Sequence, residues 1–121
     1  MLGPDGPELL TFEIMGVGEQ APRAAGVFIY ARKRAGEWQA LYVGESANLS
    51  ARLAFNEIAA DALLSGATDI HILRMDADAT ERRDLADRLI LTNAPPLNED
   101  ERVKLAAEET KSAQKKSTRA A

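Results

Sequence analysis

Cysteine is absent from the 121-residue chain. That removes a disulfide framework, a zinc-thiolate site, an iron–sulfur cluster and a cysteine nucleophile together. Histidine occurs once, as His71, and one imidazole makes no metal site. A basic excess is missing too, since 15 Lys and Arg against 19 Asp and Glu leave a net charge of −4. Binding of nucleic acid by bulk charge is thereby excluded, and any such site must be local. No apolar run approaches the roughly 18–20 residues of a membrane span. Asp5, Glu8 and Glu13 stand where a secretory signal would need a basic start and an apolar stretch. These absences predict a cytoplasmic protein with no membrane association.

With 45% apolar and 28% charged residues, the chain has the make-up of one globular domain with extensions. Residues 1–25 read as a leader: Gly3, Pro4, Gly6 and Pro7 deny it regular structure at first, and Leu9 to Met15 is apolar enough for an edge strand. Gly16 to Pro22 is a loop, whose lone Gly-x-Gly lacks the rest of a dinucleotide fingerprint. Gly26–Ala31 and Trp38–Val43 are β-branched and aromatic runs that predict an antiparallel pair, joined by a polar loop over Arg32–Glu37.

Asn48 to Leu64 has helical spacing interrupted near Asn56, which predicts one helix or two short ones, capped by Ser46 or Asn48 and ending at Gly66. Asp69–Arg74 is the third strand of the expected sheet. Within it His71 alternates with Ile70 and Ile72 and is expected to be partly exposed. Asp78 and Glu81 resemble a capping box for a helix that carries Leu85, Ala86, Leu89 and Ile90 on one face and stops before Pro95. On that helix Arg82, Arg83 and Arg88, offset by Asp84 and Asp87, predict a salt-bridged exposed face. Residues 99–121 predict a further helix and then a frayed or disordered tail with Lys111, Lys115, Lys116 and Arg119.

Three features fall in order along the chain: Gly26-Val27-Phe28 on one strand, Tyr42-Val43-Gly44 ending the next, and Ser46-x-Asn48-Leu49-x-x-Arg52 turning into a helix. Leu89-Ile90 and Pro95-Pro96-Leu97-Asn98 follow. The set resembles the GIY-YIG nuclease family over residues 26–98. The resemblance implies an α+β fold, a small, mainly antiparallel three-stranded sheet flanked by helices. It implies an endonuclease that hydrolyses DNA phosphodiester bonds with one Mg²⁺ or Mn²⁺. In that family a tyrosine deprotonates the attacking water, an arginine stabilises charge on the phosphoryl oxygens, and a glutamate on the last helix holds the metal. Carried over by position, the catalytic candidates are Tyr42 and Arg52, and the closing asparagine is Asn98.

Elementary chemistry supports the grouping. Gly44 permits a tight turn and a close approach to Tyr42. Arg52 lies four residues after Asn48, on the same helix face, where a guanidinium meets phosphate oxygens in fork geometry. Asn48, Asn98 and the loop cluster Arg32, Lys33 and Arg34 are the further nucleic-acid-binding candidates.

Two positions depart from the family pattern. Phe28 stands where the first motif ends in tyrosine, and a phenyl ring handles no proton. Tyr30, on the same strand face and about 6–7 Å further on, is the available substitute. Ala86 stands where the metal glutamate belongs, and Asp87 and Glu81 are rotated away from that direction by about 100° and 140°. Glu45 is the other carboxylate near the motifs, so the metal ligand stays unassigned. Beside the nuclease, the sequence therefore sets an alternative, a catalytically inactive GIY-YIG-like module that binds DNA or a protein partner.

Overall fold

Val27, Ile29 and Val43 alternate with Phe28, Tyr30 and Tyr42, so both faces of the central hairpin are apolar and both must be covered. In the computed structural model, which describes the backbone of residues 11–120 and the side chains of residues 11–109, both are covered by helices. The strands are β1 (Glu13–Gly16), β2 (Gly26–Arg34), β3 (Glu37–Ser46) and β4 (Asp69–Arg74). They form one antiparallel sheet in the order β1-β4-β2-β3. The fold is α+β, as expected, with four strands where the sequence suggested three. The fourth is the edge segment of the leader, pinned to β4 by Arg74 and Glu13, whose Nε and Oε1 lie 2.8 Å apart.

Helices α1 (Leu49–Ala54) and α2 (Ala59–Leu64) pack on the face that carries Phe28, Tyr30, Ile70 and Ile72. Helix α3 (Ala79–Asn93) covers the other face through Leu85, Ala86, Leu89 and Ile90 against Val27, Ile29 and Val43. A single 3₁₀ turn, Pro96–Asn98, leads into α4 (Glu99–Ala120). The helical backbone of α4 passes through the segment expected to fray, because Ala, Lys, Gln and Glu hold a helix by propensity without an apolar stripe. The tail lysines' side chains and residues 1–10 lie outside the described residues. No helix among the described residues is long and apolar enough to cross a membrane.

Local chemistry explains the boundaries. Asn48 caps α1 by accepting from the Ala51 N–H, and Asp78 caps α3 by accepting from the Glu81 N–H at 2.9 Å. The hairpin turn corrects the expected six-residue loop. Only Ala35 and Gly36 form it, both at positive φ (52° and 82°), as a two-residue turn that continues the strand twist requires. Arg32, Lys33 and Arg34 are consequently strand residues and alternate between faces instead of forming one basic patch.

His71 is buried, not partly exposed, at 2% of its surface. Trp38 closes over it edge-on at 4.6 Å between ring centroids, with Phe12 at 6.4 Å. The alternation was read correctly, but both sheet faces are covered. Burial holds the imidazole below its ordinary pKa of 6.5, partly offset by Asp69, and its Nε2 has no hydrogen-bond partner among the described residues. A base whose folded pKa is depressed binds its proton more readily when unfolded, so its contribution to stability is complete above the unfolded pKa and is lost as pH falls below it. The urea midpoint is therefore expected to drop between about pH 7 and pH 5, with a limiting slope of about 1.4 kcal/mol per pH unit. His71→Phe should flatten that part of the profile; identical profiles for both proteins would count against the assignment.

Candidate functional site

The site grows from the interrupted helix. Asn56 sits between α1 and α2, and its side chain links three neighbours. Its Oδ1 accepts from Arg52 Nη1 at 2.9 Å and from the Ile58 N–H at 3.0 Å, and its Nδ2 donates to the Tyr30 hydroxyl oxygen at 3.2 Å. The Arg52 guanidinium lies 5.7 Å from the centre of the Phe28 ring, in cation–π geometry. Its charge also acts on the Tyr42 phenol. Phe28 stands 6.1 Å from both Tyr30 and Tyr42, centroid to centroid.

The structure thus brings Tyr30, Tyr42 and Arg52 together, and adds Asn56, which sequence reasoning noted only as a break in the helical pattern. An Asn at such a break, four residues after the key arginine, was the signal that could have found it. Tyr30 pairs with Tyr42 across β2 and β3, on the face that same-strand spacing predicted. It is 3% exposed, whereas Tyr42 is half-buried.

Gly44 has a use the sequence did not suggest. It lies inside β3 opposite Phe28, and a Cβ there would come within 2.5 Å of the Phe28 Cζ. The space expected to admit a backbone or a phosphate is filled by the phenyl ring, which is wholly buried and supports the underside of Arg52.

Both tyrosines are pushed above the usual phenol pKa. For Tyr30 the cause is burial, opposed by the Asn56 hydrogen bond and the Arg52 charge. For Tyr42 it is burial and then the Glu101 carboxylate, opposed by Arg52 and Arg83. Both phenols are neutral at physiological pH, and the Tyr30 oxygen accepts from the Asn56 amide. Such phenols are poor bases and good donors.

The remaining candidates are placed elsewhere or occupied. Asn48 is exposed and serves as the α1 cap. Arg32 braces the fold, donating from Nε to Gln39 at 2.8 Å and from Nη1 to the Ser65 carbonyl at 2.9 Å. Lys33 lies 5.5 Å over the Trp38 ring, and Arg34 is exposed. Asn98 is no surface contact: it is 1% exposed and acts as a surrogate strand. Its Oδ1 accepts from the Val43 N–H at 2.7 Å, and its Nδ2 donates to the Val43 carbonyl at 3.1 Å.

The residues present do not fit the metal that the family resemblance implies. Ala86 is wholly buried among aliphatic side chains and carries no donor atom. Glu45 is held by Arg82 Nε at 2.9 Å, and that arginine is buried, off the exposed face expected for it. Glu101, the carboxylate that acts on Tyr42, accepts from Asn98 Nδ2 at 3.1 Å and faces Arg83 at 3.7 Å. Among the described residues no three His, Cys, Asp or Glu side chains converge. No family model, curated protein or solved structure matches the chain.

Proposed function

We propose that this chain is a GIY-YIG-like domain that takes DNA by its phosphodiester backbone at Arg52 and Tyr42 and holds it without cutting it. The observation that carries the reading is the Arg52 setting. Asn56 and the Phe28 ring fix the guanidinium beside two neutral phenols, so the group is pre-organised and its neighbours are hydrogen-bond donors. A cluster of donors around a fixed positive charge suits an oxyanion that carries no proton, which is what a phosphodiester presents. The domain's negative net charge leaves this as a local contact, with affinity that depends on salt.

Hydrolysis is the second reading, favoured by the Arg52 charge acting on the Tyr42 phenol. Against it stand Ala86, the hydroxyl-free Phe28 and the raised phenol pKa values.

One experiment separates these readings. Wild type and Arg52→Ala would be titrated with a labelled DNA duplex at several salt concentrations, and incubated with supercoiled plasmid and branched oligonucleotides in Mn²⁺ or Mg²⁺. The expected result is salt-dependent binding that Arg52→Ala weakens about tenfold or more, the scale of one charge-assisted contact, with the DNA intact. Nicking by wild type that Arg52→Ala abolishes would replace this reading with the hydrolase. Absence of salt-dependent binding would replace it with recruitment to a protein partner.

A further inference from the structure

A cavity of about 510 Å³ opens between α1, α2 and the loop that follows β1. Its walls are largely aliphatic, with Val17, Ala21, Leu53, Leu63 and Ile70 contributing, and Tyr30 lines it from the sheet. That size falls within the usual range of small-molecule pockets, roughly 300–1,000 Å³. The cavity is built into the fold. The loop is tied to α1 by the Leu49 N–H to the Ala24 carbonyl at 2.9 Å and the Ser50 N–H to the Pro22 carbonyl at 3.0 Å.

Two features say what enters it. The Tyr30 hydroxyl accepts from Asn56, but its own proton finds no acceptor among the described residues, so a buried donor is left for a ligand. The same Asn56 holds Arg52, so the hydroxyl of the wall residue Tyr30 and the guanidinium read as the phosphate contact are joined through one side chain. At the rim the Gln20 amide and the Ser50 hydroxyl offer both donors and acceptors, while the Glu19 carboxylate accepts from the Gly16 N–H at 3.2 Å. Flat apolar faces, an edge rich in acceptors and a covalently linked phosphate describe a nucleotide.

We propose that this cavity receives the base of an unstacked DNA nucleotide whose phosphate lies on Arg52; the inference rests on the phosphate-binding reading above. The domain then prefers single-stranded, frayed or mismatched DNA over a perfect duplex, because a paired base must first leave its stack.

The test uses a short single strand carrying one fluorescent aminopurine, and the same strand annealed to its complement. Wild type is expected to bind the single strand about tenfold more tightly, the scale of one buried base, and to change the aminopurine emission. Leu63→Trp, at a wall residue 53% exposed, fills the cavity and should bring single-strand affinity down to that of the duplex while duplex affinity stays. Ala54→Leu narrows the opposite wall and serves where the first variant melts early. Equal affinity for both forms with unchanged emission, in the presence of salt-dependent duplex binding, overturns the base pocket alone. Loss of salt-dependent binding to both forms overturns the phosphate reading and the pocket with it.

Discussion

Ala86→Glu, the substitution that puts a carboxylate where the resemblance to GIY-YIG nucleases expects the metal ligand, is expected to destabilise the protein by about 3–5 kcal/mol instead of arming it. Ala86 has no exposed surface and packs between α3 and the sheet, among Val27, Ile29, Val43 and Leu89. A glutamate there adds four heavy atoms, three of them a polar carboxyl head, to a filled layer, and its charge has no partner provided. The nearest guanidinium on the inner side of α3, Arg82, already serves Glu45 at 2.9 Å and the Ala77 carbonyl. The carboxyl is expected to stay protonated or to force the helix outward. Denaturant titration of both proteins, with plasmid nicking in Mn²⁺ as a second readout, decides the matter. A variant as stable as wild type that nicks DNA would show that the buried layer yields to a metal site.

The second large effect is expected at Asn98. Asn98→Ala should cost about 2–4 kcal/mol, because two buried backbone groups of Val43 lose their partners at once. Strand β3 is an edge, with β2 on one side only, and the Asn98 amide supplies the donor and acceptor that a further strand would. Asn98→Asp keeps the acceptor for the Val43 N–H but sets a buried oxygen against the Val43 carbonyl and the Glu101 carboxylate, so it should cost at least as much as alanine. Loss of DNA affinity in proportion to lost folding, with affinity normal in the folded fraction, would mark Asn98 as purely structural. A defect in binding at full stability would return it to the nucleic-acid surface.

Much of the frame was legible from short-range pattern. Asp69–Arg74 was read to its ends, and the caps at Asn48 and Asp78 are where residue chemistry put them. The shared face of Phe28 and Tyr30 followed from strand alternation alone. What failed was what depends on a second layer. His71 was expected at the surface because its strand alternates, yet the pattern cannot say that aromatic side chains from elsewhere in the chain close over the other face.

The site divides the same way. Arg52 and Tyr42 are candidates that motif order singles out, whereas the place of Asn56 depends on its reach to Tyr30, 26 residues away. Arg82 was assigned to a solvated face from its neighbours Asp84 and Asp87, but it turns inward to Glu45 on β3. Asn98 has a side chain that suits a turn or a phosphate equally well, and only the position of Val43 shows which groups it serves. In each case the missing information was a partner distant in sequence.

The strand order carries a consequence for how the protein is made. β1 leaves the ribosome first of the four strands, yet its place is against β4, the last of them, so Glu13 waits for Ile72. Until then the hairpin of β2 and β3 can close by itself, and β1 has no ladder to join. The slow step of assembly is therefore the capture of an early, short segment by a late one, with long-range loop closure opposing it. A nascent chain arrested before Asp69 would carry the Arg52 helix while the sheet beside it still lacked β4 and the pairing of β1.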